Sequence, residues 1–209
     1  MVIDYSCKTP LRQFELIIEG RSLFVNQYFL AEISPYFYAL CFSETFEESR
    51  QGRATLDDIT YDDILELLNS ICPDEDFGLG PRIDAKNFAL LIHLSNRLLL
   101  MSLKQQLNEI LKGDLQIFQM LSCSQMVEIL FEAMVAQFSE LAIVSLCKRI
   151  SEYDESEVNK LINVLPAPYN KLMQEKVQKF RNCEEQRFNQ TFVPRSSYNW
   201  NQFHMRLFF

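Results

Sequence analysis

The spacing of apolar residues changes several times along this chain, and each change marks a new element. Between Phe14 and Val25 apolar and polar positions alternate in part, FELII and then RSLFV, with Glu19-Gly20 between them. A period of two reads as strand, and a glycine that tolerates positive φ supplies a tight turn, so 14–25 predicts a hairpin. From Asn26 the period lengthens. Phe29, Leu30, Ile33, Phe37, Leu40 and Cys41 recur at helical spacing behind an asparagine able to cap them. Ser34-Pro35 interrupts this stripe. Proline breaks a helix interior but fits a first turn, so two short helices are expected, the second capped by Ser34 and started by Pro35. A loop bearing Phe46, Glu47 and Glu48 leads to a third short strand over 53–56. Thr60 and Asp63 then form a capping-box pattern for a helix reaching Ser70.

Residues 73–82, PDEDFGLGPR, read as a loop from their proline, glycines and acids. Asp84 is placed to cap a helix with Phe88, Leu91, Ile92 and Ser95 on one face. Ser102 and Gln105 give a second capping-box pattern ahead of Leu103, Leu107, Ile110 and Leu111, and Gly113 is a helix stop. Beyond Gly113 there is no glycine and the periodicity is purely helical. Met126, Ile129, Leu130, Ala133 and Met134 form one stripe, and 141–150 forms the next helix. Asp154 with Glu157 starts a third, carrying Val158, Leu161 and Ile162. Pro166 and Pro168 break the chain before a last helix with Tyr169, Leu172, Met173, Val177 and Phe180. The expected class is α+β: a small sheet flanked by helices over 14–112, then an all-α extension over 113–181. Residues 182–209 form a tail rich in Asn, Gln and Arg that also holds Phe188, Phe192, Tyr198, Trp200, Phe203, Phe208 and Phe209. Disordered tails are poor in aromatics, so this one either folds back on the helices or serves as an aromatic docking peptide.

Composition narrows the partners. The net charge of −8 is uneven: residues 1–112 hold 10 Lys/Arg against 17 Asp/Glu. An acidic front half repels nucleic acid and anionic membrane, so neither is expected as a partner and a basic protein surface is the better match. No apolar run approaches the ~20 residues a membrane helix needs. The six cysteines, Cys7, Cys41, Cys72, Cys123, Cys147 and Cys183, are scattered, and the first residues carry Asp4, Tyr5 and Lys8 in place of an apolar leader core. A reducing cytoplasmic or nuclear setting is expected.

The chain offers little to a catalytic reading. Its two histidines are His93, inside an apolar helix, and His204, in the tail. They and the dispersed cysteines give no zinc spacing, and no metal or cofactor is expected. Gly78-Leu79-Gly80 lacks the third glycine and the preceding strand of a nucleotide loop. The pairs Asp57-Asp58 and Asp62-Asp63 and the run Asp74-Glu75-Asp76 sit at turns and helix starts, where capping and solvation account for them. An enzyme is not expected.

The order of these pieces resembles a BTB/POZ domain over 14–112. The segments that carry the likeness are LIIEG, LAEISPYFYAL, LDDI, LLNSICP and the helix pair NFALLIHLSNRLLL and LKQQLNEIL. The resemblance implies a protein-interaction adaptor of the type that links substrates to cullin ubiquitin ligases. The helices over 113–181 resemble, in pattern, the BACK-type extension that follows some such domains. Cullin-binding members carry a hydrophobic-x-Glu motif, matched here by Phe46-Glu47-Glu48. The resemblance implies that Phe46 enters a cullin groove while Glu48 accepts hydrogen bonds. The alternative is that Phe46 plugs its own core and Glu48 is solvated. The family usually has Asp where Gln13 stands and His where Asn26 stands, so its charged central pocket is replaced by an amide pair; Asn96 also stands where Asp is common. Thirteen residues precede the first strand, too few for the extra helix and strand many members use to dimerise, which leaves homodimerisation open. The other reading is a self-associating or transcription-associated scaffold that binds no cullin.

Overall fold

Phe14, Leu16 and Ile18 share one face of the first strand and are all buried, while Glu15 and Ile17 lie between them. This strand, β1 (Phe14–Ile18), pairs antiparallel with β2 (Arg21–Val25) in the register Phe14 to Val25 through Ile18 to Arg21. The turn between them places both Glu19 (φ 51°) and Gly20 (φ 73°) in the left-handed region, the twist a two-residue hairpin requires. The computed structural model of the chain describes residues 3–72, 83–113 and 115–191.

Helix α1 (Gln27–Ile33) begins as the sequence predicts: Asn26 Oδ1 accepts hydrogen bonds from the Tyr28 and Phe29 amides. Helix α2 (Pro35–Phe42) begins at the proline, with Ser34 Oγ accepting from the Phe37 amide. The chain then forms a five-residue helix, α3 (Glu47–Gln51), closed by Gly52 at φ 67°, where the sequence predicts a loop. Too few apolar residues lie there for periodicity to reveal a single turn and a half. Strand β3 (Arg53–Thr55) returns parallel to β1, giving the order β2-β1-β3.

Helix α4 (Tyr61–Ile71) is capped by Thr60, which accepts from the Asp63 amide. The reciprocal half of the box is absent. Asp63 is a methylene shorter than the Glu or Gln such a box uses to reach the Thr60 amide; the next amide, that of Tyr61, donates to Glu19 in the hairpin turn at 3.1 Å. The expected loop over 73–82 lies outside the described residues. Asp84 caps a turn at 84–87 rather than a helix: it accepts from the Lys86 and Asn87 amides, and α5 (Phe88–Arg97) starts only afterwards.

Ser102 is not a cap. Leu99 adopts φ 52°, and the Leu100 amide reaches back to the Ser95 carbonyl at 2.8 Å. This tight reversal makes Met101 the first residue of α6 (Met101–Lys112), so Ser102 is already inside the helix and its hydroxyl caps nothing. The same S-x-x-Q pattern does form a full capping box at Ser122 and Gln125, the start of α7 (Cys123–Val135), which the sequence reading passes over. A short 3₁₀ turn (Leu115–Phe118) precedes it.

The remaining described residues form three more helices: α8 (Glu140–Ile150), capped by Ser139; α9 (Glu155–Asn163), capped by Asp154; and α10 (Tyr169–Thr191). Helix α10 runs ten residues past 181, and the rest of the aromatic tail, with His204, lies outside the described residues. One continuous core links the two halves. Phe88 of α5 meets Phe118 edge to face at 4.8 Å between ring centres, and both rings are fully buried.

Candidate partner-binding site

Phe46 stands at the entrance to α3, and the local hydrogen bonds fix it there. Its amide donates to the Ser43 carbonyl at 3.1 Å. Ser49, one turn on, donates its hydroxyl to the carbonyls of Ser43 (2.7 Å) and Phe46 (3.0 Å). Three hydrogen bonds thus tie the end of α2 to the start of α3. Glu47 and Glu48 occupy the first turn, where negative charge suits the exposed amides. Gly52 ends the helix in a left-handed conformation that costs a glycine little, and its carbonyl accepts from the Glu15 amide of β1. The motif is therefore braced against the sheet.

Phe46 does not plug the core. Its side chain is 47% exposed, and it is not among the residues packed into the apolar cluster. Glu48 is half-buried and its carboxylate forms no hydrogen bond among the described residues. Tyr36 lies within electrostatic reach of Glu48, Arg97 and Asp57. Burial raises the Tyr36 hydroxyl pKa above its usual value; Arg97 pulls it down, and Glu48 and Asp57 push it up. Arg97 in turn donates to the Asp57 carbonyl at 2.9 Å and lies 3.8 Å from the Asp58 carboxylate. The arrangement is an apolar ring presented to solvent beside an acceptor with unused lone pairs, set in an acidic margin. Chemically it can dock on a partner groove and accept hydrogen bonds; it holds no nucleophile paired with a base.

The grouping of Tyr36 with Glu48, Arg97 and Asp57 escaped the sequence reading because it brings together residues far apart in the chain. A second feature it missed is aromatic. Tyr28 (66% exposed) and Tyr38 (60% exposed) both contact the Phe42 ring, at 5.3 and 6.0 Å. The signal was present as Tyr38 and Phe42 at i and i+4, on the strip of α2 next to the buried Phe37 and Cys41.

Gln13 and Asn26 lie across the open end of the hairpin, one step beyond the Phe14–Val25 pair. Their amides do not bond to each other. Gln13 Nε2 donates to the Thr9 carbonyl at 2.7 Å, and Asn26 is used as the α1 cap, so each side chain is engaged locally. Asn96 accepts from Lys104 at 2.9 Å. His93 is a satisfied surface histidine, its Nδ1 3.1 Å from the Glu132 carboxylate. The five described cysteines are free, and among the described residues no three His, Cys, Asp or Glu side chains cluster as metal ligands would. No described helix is long and apolar enough to cross a membrane.

A three-stranded sheet with one parallel pair, wrapped by helices, presents an exposed aromatic at the start of α3, and the family that this fold matches is a class of protein-interaction module. The BTB/POZ domain family model matches residues 8–115, and the chain belongs to that family. It is similar to Cytokinesis defective protein 7 of Caenorhabditis elegans, 35% identical over 96 residues, covering 45% of this chain and 33% of that one. It is also similar to BTB and MATH domain-containing protein 38 of the same organism, 38% identical over 66 residues, covering 32% of this chain and 17% of that one. BTB and MATH domain-containing protein 36 is 31% identical over 90 residues, covering 43% and 26%. The chain thus matches a third or less of the length of these relatives.

Proposed function

We propose that this BTB domain joins a substrate protein to a cullin ubiquitin ligase, with Phe46 and Glu48 as the cullin contact and residues 113–181 as a BACK-like helical extension. The observation that carries the reading is the exposure of Phe46 at 47%, at a position where a residue needed by its own core would be covered. An exposed aromatic on a braced turn loses little entropy on docking, and the Glu48 carboxylate beside it can accept charge-assisted bonds. The free thiols fit a reducing cytoplasmic or nuclear setting.

The Tyr28, Tyr38 and Phe42 face favours a second reading, a scaffold that self-associates without a cullin. One set of proteins separates the two. In a pull-down with a purified cullin N-terminal domain, the wild type is expected to bind at micromolar protein, and Phe46→Ala and Glu48→Ala to lose that binding. Absence of wild-type binding sinks the cullin reading. If the wild type also scatters light as a dimer, and Tyr38→Ala returns it to a monomer, the scaffold reading stands in its place.

A further inference from the structure

Helices α1 and α2 fold back on each other, so that Tyr28 at the start of one meets Phe42 at the end of the other, and Tyr38, one turn back along α2, meets the same ring. Phe42 is half-buried against the core, while both tyrosines stand mostly in solvent. Glu32 lies one turn along α1 from Tyr28, and Glu44 two residues past Phe42. Both are exposed, and neither forms a hydrogen bond or ion pair among the described residues. From Ser22 to Ser49 the chain has four glutamates and no lysine, arginine or histidine. We propose that this face binds an arginine-bearing segment of a partner protein, with guanidinium groups stacked on the rings and held at the rim by Glu32 and Glu44. The contact uses neither Phe46 nor Glu48, so it stands whether or not the chain binds a cullin; self-association through the same tyrosines would exclude it.

Charge complementarity selects this occupant. The face of an aromatic ring is negative and attracts a cation, and a flat, weakly hydrated guanidinium stacks there better than an ammonium. The chain already covers other tyrosines in this way. Arg12 lies 5.7 Å from the Tyr5 ring centre, Arg21 3.4 Å from that of Tyr61, and Arg149 5.8 Å from that of Tyr153. Among the described residues no cation lies over Tyr28, Tyr38 or Phe42. A purely apolar partner would take Glu32 and Glu44 out of water without pairing them. Nucleic acid and anionic lipid are repelled by the same carboxylates. A second copy, docking through the same patch, would add two more glutamates and no cation. A cationic segment is attracted by the rings and by the rim together.

The test is fluorescence anisotropy of a short labelled peptide alternating arginine and glycine, titrated with the 209-residue chain at physiological salt. The same peptide with citrulline for arginine keeps the shape and loses the charge, and is expected to bind at least about tenfold more weakly. Tyr28→Leu combined with Tyr38→Leu keeps apolar area at exposed positions and removes two ring faces; a loss of about tenfold is expected. Glu32→Gln with Glu44→Gln should cost about fivefold, whereas Glu155→Gln with Glu157→Gln, which removes the same charge from α9, should leave affinity within about twofold. If the leucine variant misfolds, the two glutamine pairs and the citrulline peptide decide on their own. No binding of the arginine peptide, equal binding of the citrulline peptide, full affinity in the folded leucine variant, or equal losses in the two glutamine pairs would each overturn the proposal. So would a dimer by light scattering that the leucine variant dissolves and the arginine peptide does not.

Discussion

Ser34 shows how much one side chain can decide. It is fully buried, caps α2 by accepting from the Phe37 amide, and donates to the Leu98 carbonyl at 2.6 Å. The cap was legible from Ser-Pro; the second bond was not, because Leu98 is 64 residues away. Ser34→Ala removes a cap and strands a buried carbonyl, so a loss of about 2–3 kcal/mol in a urea melt is expected, against about 1 kcal/mol for a cap alone. Phe46→Ala is the contrasting case. With the ring half in solvent, its stability cost is expected within about 0.5 kcal/mol, so lost partner binding can be read as lost contact. Equal melts for wild type and Ser34→Ala, or a large cost at Phe46, would contradict these assignments.

At the scale of elements, the helix ends depart most from the sequence reading. Two of them reverse through left-handed residues that are not glycine: Leu99 after α5 and Gln137 after α7. In both, the next residue bonds back to the last turn, Leu100 to Ser95 and Phe138 to Ala133. A sequence search for glycine stops cannot find such ends. Local strain there is offset by burying Leu100 and Phe138. Gln137 is exposed, so Gln137→Gly relieves the strain without removing a contact. A gain of about 1 kcal/mol is expected in the urea midpoint, and a loss would show that the side chain matters. The N-terminal segment likewise carries no periodic pattern. It lies along β2, with the Tyr5 carbonyl accepting from the Phe24 amide at 2.7 Å and the Tyr5 hydroxyl donating to the Leu68 carbonyl at 3.2 Å. Part of the β2 edge is thereby covered by the chain itself.

For the molecule as a whole, the Phe88–Phe118 contact makes the BTB part and the helices behind it share one core. The 209-residue chain is therefore expected to unfold in a single urea transition, and Phe118→Ala to lower it as a whole by about 3–5 kcal/mol. Two separate transitions, only one moved by the variant, would refute a common core. Alkali should act on the same core. Burial pushes the Cys41 thiol from 9.0 up to about 12; Cys147 also reaches about 12, with burial the main cause, a smaller push from Glu140 and an opposing pull from Lys176. Below about pH 9 both thiols keep their protons in either state, and the stabilisation is fully present. Between about pH 9 and about pH 12 the unfolded chain releases protons that the folded one retains, so stability falls as pH rises. The urea midpoint should drop between about pH 8 and about pH 10.5, and drop less in Cys41→Ala/Cys147→Ala.

The sequence by itself determined the order of elements, the hairpin and its turn, the Asn26, Ser34 and Asp154 caps, and the buried stripes. Each depends on spacing within about one helical turn or on a side chain bonding a nearby amide. The sequence also singled out Phe46 and Glu48 as candidates, through resemblance to the family. Tertiary structure alone decided that Phe46 faces solvent, that the buried Ser34 hydroxyl meets Leu98, and that Ser102 lies inside a helix whereas Ser122 caps one. These outcomes depend on which helices pack together, and non-local packing leaves no periodic trace in the chain.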